Sequence, residues 1–445
     1  MTADIQRRRL VNMQYARALF HRCRRQLRLA SCRPGHVWYT FGADGGPAYR
    51  FTERDEEKLA EYAGAGVGLI QVHHNWPGED RFHARDEQSM QRLVATCHRL
   101  KLQVTPYISS GFAMRTWPGY RPEWSSGVIS PESWGDGDVC SIHNPEWRAT
   151  VLNGLEYVLS HYQVDGLYND SAGLWMVPWR PQPADVPVFA DSALWSEAFD
   201  DFMGQIKALC HRYGAFLSLH FGSHFLPRLR DGQYRYAYIG ECVPHLERLR
   251  ENGRDYDPLV LFIPDWRFVP CDKEPEAQYA ASIPHGMFPV LYGGVEVCPW
   301  WGAQKLVDEV VARERCSAAE ARAAIEGRYF KYLGAMNRMI AHDAVLFSDI
   351  QGDFRLYDRL DPAFPRLTAS LYINEEFHLV LANDGAESVT ASLVSPFEDV
   401  IRGGVSTETR IAPGGLAILK RVANAPFRVA EQQWDWTPGN NPFLQ

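Results

Sequence analysis

The run VDGLYND at residues 164–170 carries apolar and small side chains up to an Asn-Asp pair and stops on a carboxylate. A buried strand has little use for an acid there unless it caps a following helix or faces a substrate. Two further runs lead to acids: YAYIGEC (236–242) carries Glu241 and PLVLFIPD (258–265) ends on Asp265. Two carboxyl groups flanking one cavity are what glycosidic cleavage needs. One is ionised to stabilise or attack the anomeric carbon, and one is protonated to assist the leaving oxygen. Asp170 and Glu241 form the candidate catalytic pair, with Asp265 the rival acid/base. Each has a structural reading beside the functional one: Asp170 as cap of a segment starting at Ser171, Glu241 paired with Arg235 or Arg248, Asp265 paired with Arg267.

Polar and aromatic side chains collect at the ends of the other apolar runs. GVGLIQVHH (66–74) leads into His73, His74, Asn75 and Trp76, and LQVTPYIS (102–109) carries Tyr107 and Ser109. AFLSLHFG (215–222) contributes His220, with His224 just beyond, Trp266 and Arg267 follow Asp265, and Trp300 closes YGGVEVCPW. Burying that many polar groups is costly unless they face a solvated pocket. His73, His74, Trp76, Tyr107, Asn169, His220, Asp265, Arg267 and Trp300 are therefore the candidate substrate-holding residues, suited to sugar hydroxyls and ring faces. Adjacent histidines invite a metal, but successive strand residues point to opposite faces, so at most one of His73 and His74 enters the pocket. HVWYTF (36–41) lacks the His-x-His of a metal-dependent amidohydrolase, and no metal or cofactor is expected.

These residues need a scaffold that brings strand ends to one rim. Eight strand-like runs lie between residues 36 and 294: the six quoted above, VDGLYND among them, with HVWYTF at the start and MFPVLYGG (287–294) at the end. Most are nearly continuous apolar runs, as expected of strands covered on both faces. Helical patterns alternate with them, such as TERDEEKLAEYAGAG with a threonine cap and acids in its first turn, and NPEWRATVLNGLEYVLSHY with Pro145 in its first turn. Eight such units predict an α/β fold, a (β/α)8 TIM barrel over residues 35–342, with its chemistry on the loops after the strands. No GxGxxG follows a strand, so a dinucleotide-binding sheet has little support. Residues 343–423 alternate in the manner of strands joined by Asn-Asp-Gly and Pro-Gly-Gly turns and predict an antiparallel β-sandwich domain. The tail 424–445 is irregular by composition. The loop between Gly111 and Asp138 holds Phe112, Trp117, Tyr120, Trp124 and Trp134, an aromatic content that fits a lid over the mouth or a satellite cluster packed on the barrel.

Composition bounds the partners. The 445 residues carry a net charge of −8, which argues against nucleic acid or an anionic membrane as partner of the whole molecule. The nine cysteines are scattered without a CxxC pair, so reduced thiols in a cytoplasmic protein are expected rather than a disulfide framework or zinc site. No run of about 18 apolar residues suggests a membrane span. Residues 1–34 are basic with apolar residues at helical spacing and predict an amphipathic helix packed on the body. Such an abrupt helical start also fits a chain whose relatives carry an upstream domain. A carbohydrate substrate, with or without assembly into a homo-oligomer, completes the expected partners.

With the strands placed, HNPEWRATVLNGLEYVLSHYQVDGLYND (143–170) resembles the segment leading into and through strand four of barrel glycosidases of the α-galactosidase and α-glucosidase superfamily and, more loosely, of the α-L-fucosidases. VHHNW (72–76) is similar to the His-His substrate loop of the fucosidases. The resemblance implies that Asp170 is the nucleophile, that Asp165 is structural, and that the general acid at strand six falls on Glu241. It covers residues 36–421 in layout and 143–170 in motif. The expectation is a glycoside hydrolase, retaining by that resemblance, cleaving a small glycoside or glycan end. The alternatives are a non-catalytic carbohydrate-binding barrel and, third, metal-dependent hydrolysis through His73, His220 and His224.

Overall fold

The structure is a computed structural model that describes residues 2–19, 24–27, 33–41, 50–73, 76–127, 136–170, 192–221, 234–239, 259–262, 275–294, 303–350, 367–422, 427–429 and 432–434. The chain divides into two compact units: His36–Pro244 with Val290–Pro299, and Met1–Gly35 with His245–Pro289 and Trp300–Gln445.

The first unit is built from βα repeats. Strands β1 (His36–Thr40), β2 (Leu69–Val72), β3 (Gln103–Ser109), β4 (Gly166–Asp170), β5 (Phe216–Phe221) and β6 (Tyr236–Ile239) run parallel in sequence order. Helices α1 (Glu53–Gly64), α2 (Glu87–Arg99), α3 (Pro145–Tyr162) and α4 (Ser192–Arg212) fall in the expected places between them. The second unit supplies β7 (Leu259–Phe262) and β8 (Met287–Pro289), parallel with Val260 opposite Met287. The eighth strand run has a second segment in the first unit, β9 (Leu291–Gly294), which lies parallel to β1 with Leu291 opposite Val37. All eight expected strand runs are therefore present, and the fold is a (β/α)8 barrel.

Local chemistry explains the helix starts. Thr52 and Asp55 form a reciprocal capping box on α1, Asp86 caps α2, and Asn144 accepts from the Glu146 and Trp147 amides ahead of Pro145 on α3. Asp165 binds the Val104 amide at 2.8 Å and His98 at 3.1 Å, the structural role the resemblance implied. In the same motif Gly166 leaves room for its neighbour strand: a Cβ there would meet the Phe216 ring and carbonyl at 2.7 Å.

The strands are less uniform than a continuous apolar reading suggests, because their two faces differ. The outward face is apolar, with Tyr39 reaching α1, where its hydroxyl donates to Asp55 at 2.8 Å. The inward face is aromatic and polar, presenting Trp38, Gln71, Thr105, Tyr107, Tyr168, Ser218, His220 and Tyr238, where a barrel usually packs branched aliphatics. Ring contacts across the bore fix this orientation: Trp38 meets Tyr168 at 5.6 Å, His220 at 6.2 Å and Tyr292 at 5.4 Å between centroids.

The second unit also holds the antiparallel β domain: β10 (Val345–Phe347), β11 (Leu367–Ile373), β12 (Phe377–Asn383), β13 (Val389–Asp399), β14 (Val405–Ile411) and β15 (Leu416–Arg421), ordered β10-β11-β12-β15-β13-β14. Its alternating side chains build a core from Val345, Leu371, Leu379, Leu381, Phe397 and Leu419, among others. Helices α5 (Pro275–Ser282), α6 (Ala303–Glu314) and α7 (Ala318–Met339) belong to this unit, and Tyr279 on α5 donates to the Tyr329 carbonyl of α7 at 2.9 Å. The N-terminal helix Ala3–Leu19 packs on this domain through Val11, Met13 and Asn12, whose amide donates to the Asn374 carbonyl at 2.8 Å. The N-terminal segment does more than the expected helix, because Arg24–Gln26 adds an antiparallel edge strand beside β10. Part of the tail pairs as a short hairpin, Phe427–Val429 with Gln432–Trp434. No helix among the described residues is long and apolar enough to cross a membrane.

Candidate active site

Asp170 is the last residue of β4, and its side chain lies on the inner face of the strand. Tyr107, from β3, donates its hydroxyl to Asp170 Oδ2 at 2.5 Å, and His220 Nδ1, from β5, stands 2.6 Å from Oδ1. Both oxygens are thus fixed from the flanking strands, a charge-assisted arrangement that sets the orientation of the carboxylate. Burial grades across the pair: the His220 side chain is 3% exposed and that of Asp170 19%, so the acid and not the imidazole meets the opening.

An aromatic wall surrounds the acid. His73 stacks on Trp38 at 4.9 Å with 25° between planes and meets Tyr107 edge-on at 6.0 Å. Tyr168 lies 5.8 Å from His220 and 5.9 Å from Tyr107. Strand alternation therefore brings His73 inward. Beside Asp170 stands Ser109, its partner in the β3–β4 register and 3% exposed.

Two candidate substrate-holding residues have other work. Asn169 faces away from the bore: it is fully buried, accepts from the Ser110 amide at 2.9 Å and donates to the Ser110 hydroxyl at 2.8 Å. It ties β4 to the turn after β3, because a residue beside an inward Asp170 points outward. Trp76 is 1% exposed, lies edge-on to Tyr162, and donates its indole N–H to the Tyr107 carbonyl at 2.7 Å. It braces the strand that carries Tyr107. Tyr107 and His220 are brought to the site but hold Asp170. Glu241, His74, Asp265, Arg267 and Trp300 lie outside the described residues, as do Asn75, His224 and the capping segment from Ser171.

The aromatic loop after β3 takes the form of its satellite reading among its described residues. Phe112–Met114 pairs with Gly137–Val139, and Trp124 is buried 5.2 Å from Trp147 of α3, with Trp117 at 5.7 Å on its other side. Tyr120 donates to Asp138 at 2.5 Å and Arg115 stands 3.2 Å from the same carboxylate. Burial and then that hydrogen bond push the Tyr120 phenol up to about 12. Among the described residues no three His, Cys, Asp or Glu side chains are grouped to hold a metal ion.

The sequence reading missed Trp38, Tyr168, Tyr238 and Tyr292. All stand at inward positions of strands read as continuous apolar runs. Alternation within HVWYT and GLYND, with aromatic or polar residues at every second place, was the available signal.

No family model and no curated protein sequence matches the chain. Solved structures do. A maltogenic α-amylase from Thermotoga neapolitana is similar at 14% identity with a TM-score of 0.53, covering 91% of this chain and 99% of that one. An α-amylase from Geobacillus thermoleovorans complexed with acarbose is similar at 11% identity with a TM-score of 0.56, covering 88% and 99%. An isomaltulose synthase from Klebsiella sp. LX3 is similar at 12% identity with a TM-score of 0.53, covering 86% and 98%. The narrower resemblance to α-galactosidases and fucosidases gains no support from these likenesses. At such identities they establish the architecture alone, a (β/α)8 barrel with a C-terminal antiparallel β domain.

Proposed function

We propose that the chain is a glycoside hydrolase that cleaves a small glycoside or glycan end with retention of configuration. The carrying observation is Asp170, an acid at the carboxyl end of a barrel strand, one-fifth exposed and gripped through both oxygens by Tyr107 and His220. Held at both oxygens from the flanking strands, the carboxylate is an oriented nucleophile. Its oxygen attacks the anomeric carbon while Glu241 gives its proton to the leaving oxygen, and a glycosyl ester forms on Asp170. Glu241, now ionised, takes a proton from water, which opens the ester and restores both groups. Trp38 and His73, stacked at 4.9 Å, belong to the aromatic wall around the acid.

The architecture supports the reading, since solved structures sharing it are named as amylases and an isomaltulose synthase. The test is a panel of 4-nitrophenyl hexosides offered to the wild-type chain and to Asp170→Asn. The reading expects release of nitrophenol by the wild type and a loss of at least about a thousandfold in the variant, with sugar binding by calorimetry retained. Binding without turnover in both proteins supports the non-catalytic barrel instead.

A further inference from the structure

We infer that Ser109 reads the hydroxyl next to the anomeric carbon of the sugar, an inference that rests on Asp170 being the nucleophile. Ser109 ends β3 directly opposite Asp170 in the parallel register, so the two side chains stand on neighbouring strands about 4.8 Å apart. The faces alternate consistently: Tyr107 and Asp170 meet inside the bore, whereas Ser110 and Asn169 meet outside it, which puts Ser109 inside. Ser109 is 3% exposed, and its hydroxyl has no hydrogen-bond partner among the described residues. A buried hydroxyl without a partner is costly, and at a rim built around an oriented acid the missing partner is a ligand group.

Geometry selects which group. A sugar whose anomeric carbon sits against Asp170 has two substituents within reach of the neighbouring strand, the ring oxygen and the C2 hydroxyl. The ring oxygen becomes electron-poor as the oxocarbenium ion develops, so a donor aimed at it opposes the reaction. The C2 hydroxyl both gives and accepts, which suits serine, and hydrogen bonds to it strengthen in the transition state.

The experiment compares kcat/KM of the wild type, Ser109→Ala and Ser109→Cys on the best hexoside of the nitrophenyl panel and on its 2-deoxy analogue. With the parent glycoside Ser109→Ala is expected to lose roughly 10- to 100-fold. With the 2-deoxy analogue it is expected to match the wild type within about twofold, and Ser109→Cys, close in volume and a weak donor, to behave alike. The ligand-free melting temperature of Ser109→Ala should not fall, because no bond to a described residue is lost. Equal losses on both substrates, or no loss on either, overturn the role of Ser109 and leave the hydrolase standing. A wild type that cleaves no member of the panel overturns the hydrolase reading and this role together.

Discussion

At the scale of the residue, the reactivity of Asp170 depends on how its carboxylate is held. Tyr107 and His220 give the carboxylate one contact each, and such charge-assisted bonds are worth about 1.5–3 kcal/mol apiece. Tyr107→Phe and His220→Gln are accordingly expected to lower kcat about 10- to 150-fold with KM little changed, measured on the best glycoside of the panel. A rise in KM alone would return both residues to the substrate-holding role read from the sequence. Rim position in the sequence singled out Asp170, Tyr107, His73 and His220, which the structure brings together on the inner face. It misplaced Asn169 and Trp76, because inside and outside exchange with each step along a strand. The residue after which a strand stops is set by tertiary pairing that no local pattern encodes.

At the scale of the element, close packing and burial carry the predictions. Gly166 lies against the Phe216 ring and carbonyl, so Gly166→Ala is expected to destabilise by about 1–3 kcal/mol in chemical denaturation. An unchanged midpoint would mean that β4 and β5 separate more easily than the structure has them. In β12, burial first, then the nearby Lys420 and Arg338 cations, hold His378 down at about 3. Glu376 lies 3.3 Å from its ring, but that carboxylate is shared with Lys420 at 3.7 Å and does not offset the burial. The unfolded chain binds a proton at His378 below about 6.5, whereas the folded chain refuses it down to about 3. This contribution is therefore complete above about pH 6.5 and is lost as the pH falls, by up to about 1.4 kcal/mol per pH unit. His378→Gln is expected to flatten the acid side of a melting-temperature profile between pH 7 and 4, and parallel profiles would contradict it. The Thr52 cap and the first-turn Pro145 were legible because capping chemistry is local. The aromatic inner face was not, because counting tyrosine among the apolar residues merges it with valine in a strand run.

At the scale of the whole molecule, eight strand runs followed by an alternating β region made the architecture readable, since period and spacing are properties of the chain itself. The division into two units was not readable. The second unit gathers residues from the start, the middle and the end of the sequence, and such contacts are non-local. The N-terminal segment shows this most plainly, adding an edge strand to a domain that begins some 320 residues later by the Arg24–Phe347 pairing. Val11 and Leu27 are buried there, worth about 1.5–3 kcal/mol each. Deleting residues 2–27 is therefore expected to lower the melting temperature and to leave the edge of β10 open to aggregation, read by light scattering. A truncated chain that melts with the parent and stays monodisperse would show that this packing contributes nothing.

The most direct test of the account is to trap the glycosyl ester. A 2-deoxy-2-fluoro glycoside with a good leaving group, matched to the preferred sugar, slows the second step because fluorine at C2 opposes the oxocarbenium ion. Digestion and mass spectrometry then locate the sugar. The account predicts one sugar per chain, on Asp170. A label on any other carboxylate, or none from an enzyme whose product emerges with inverted configuration, would contradict it.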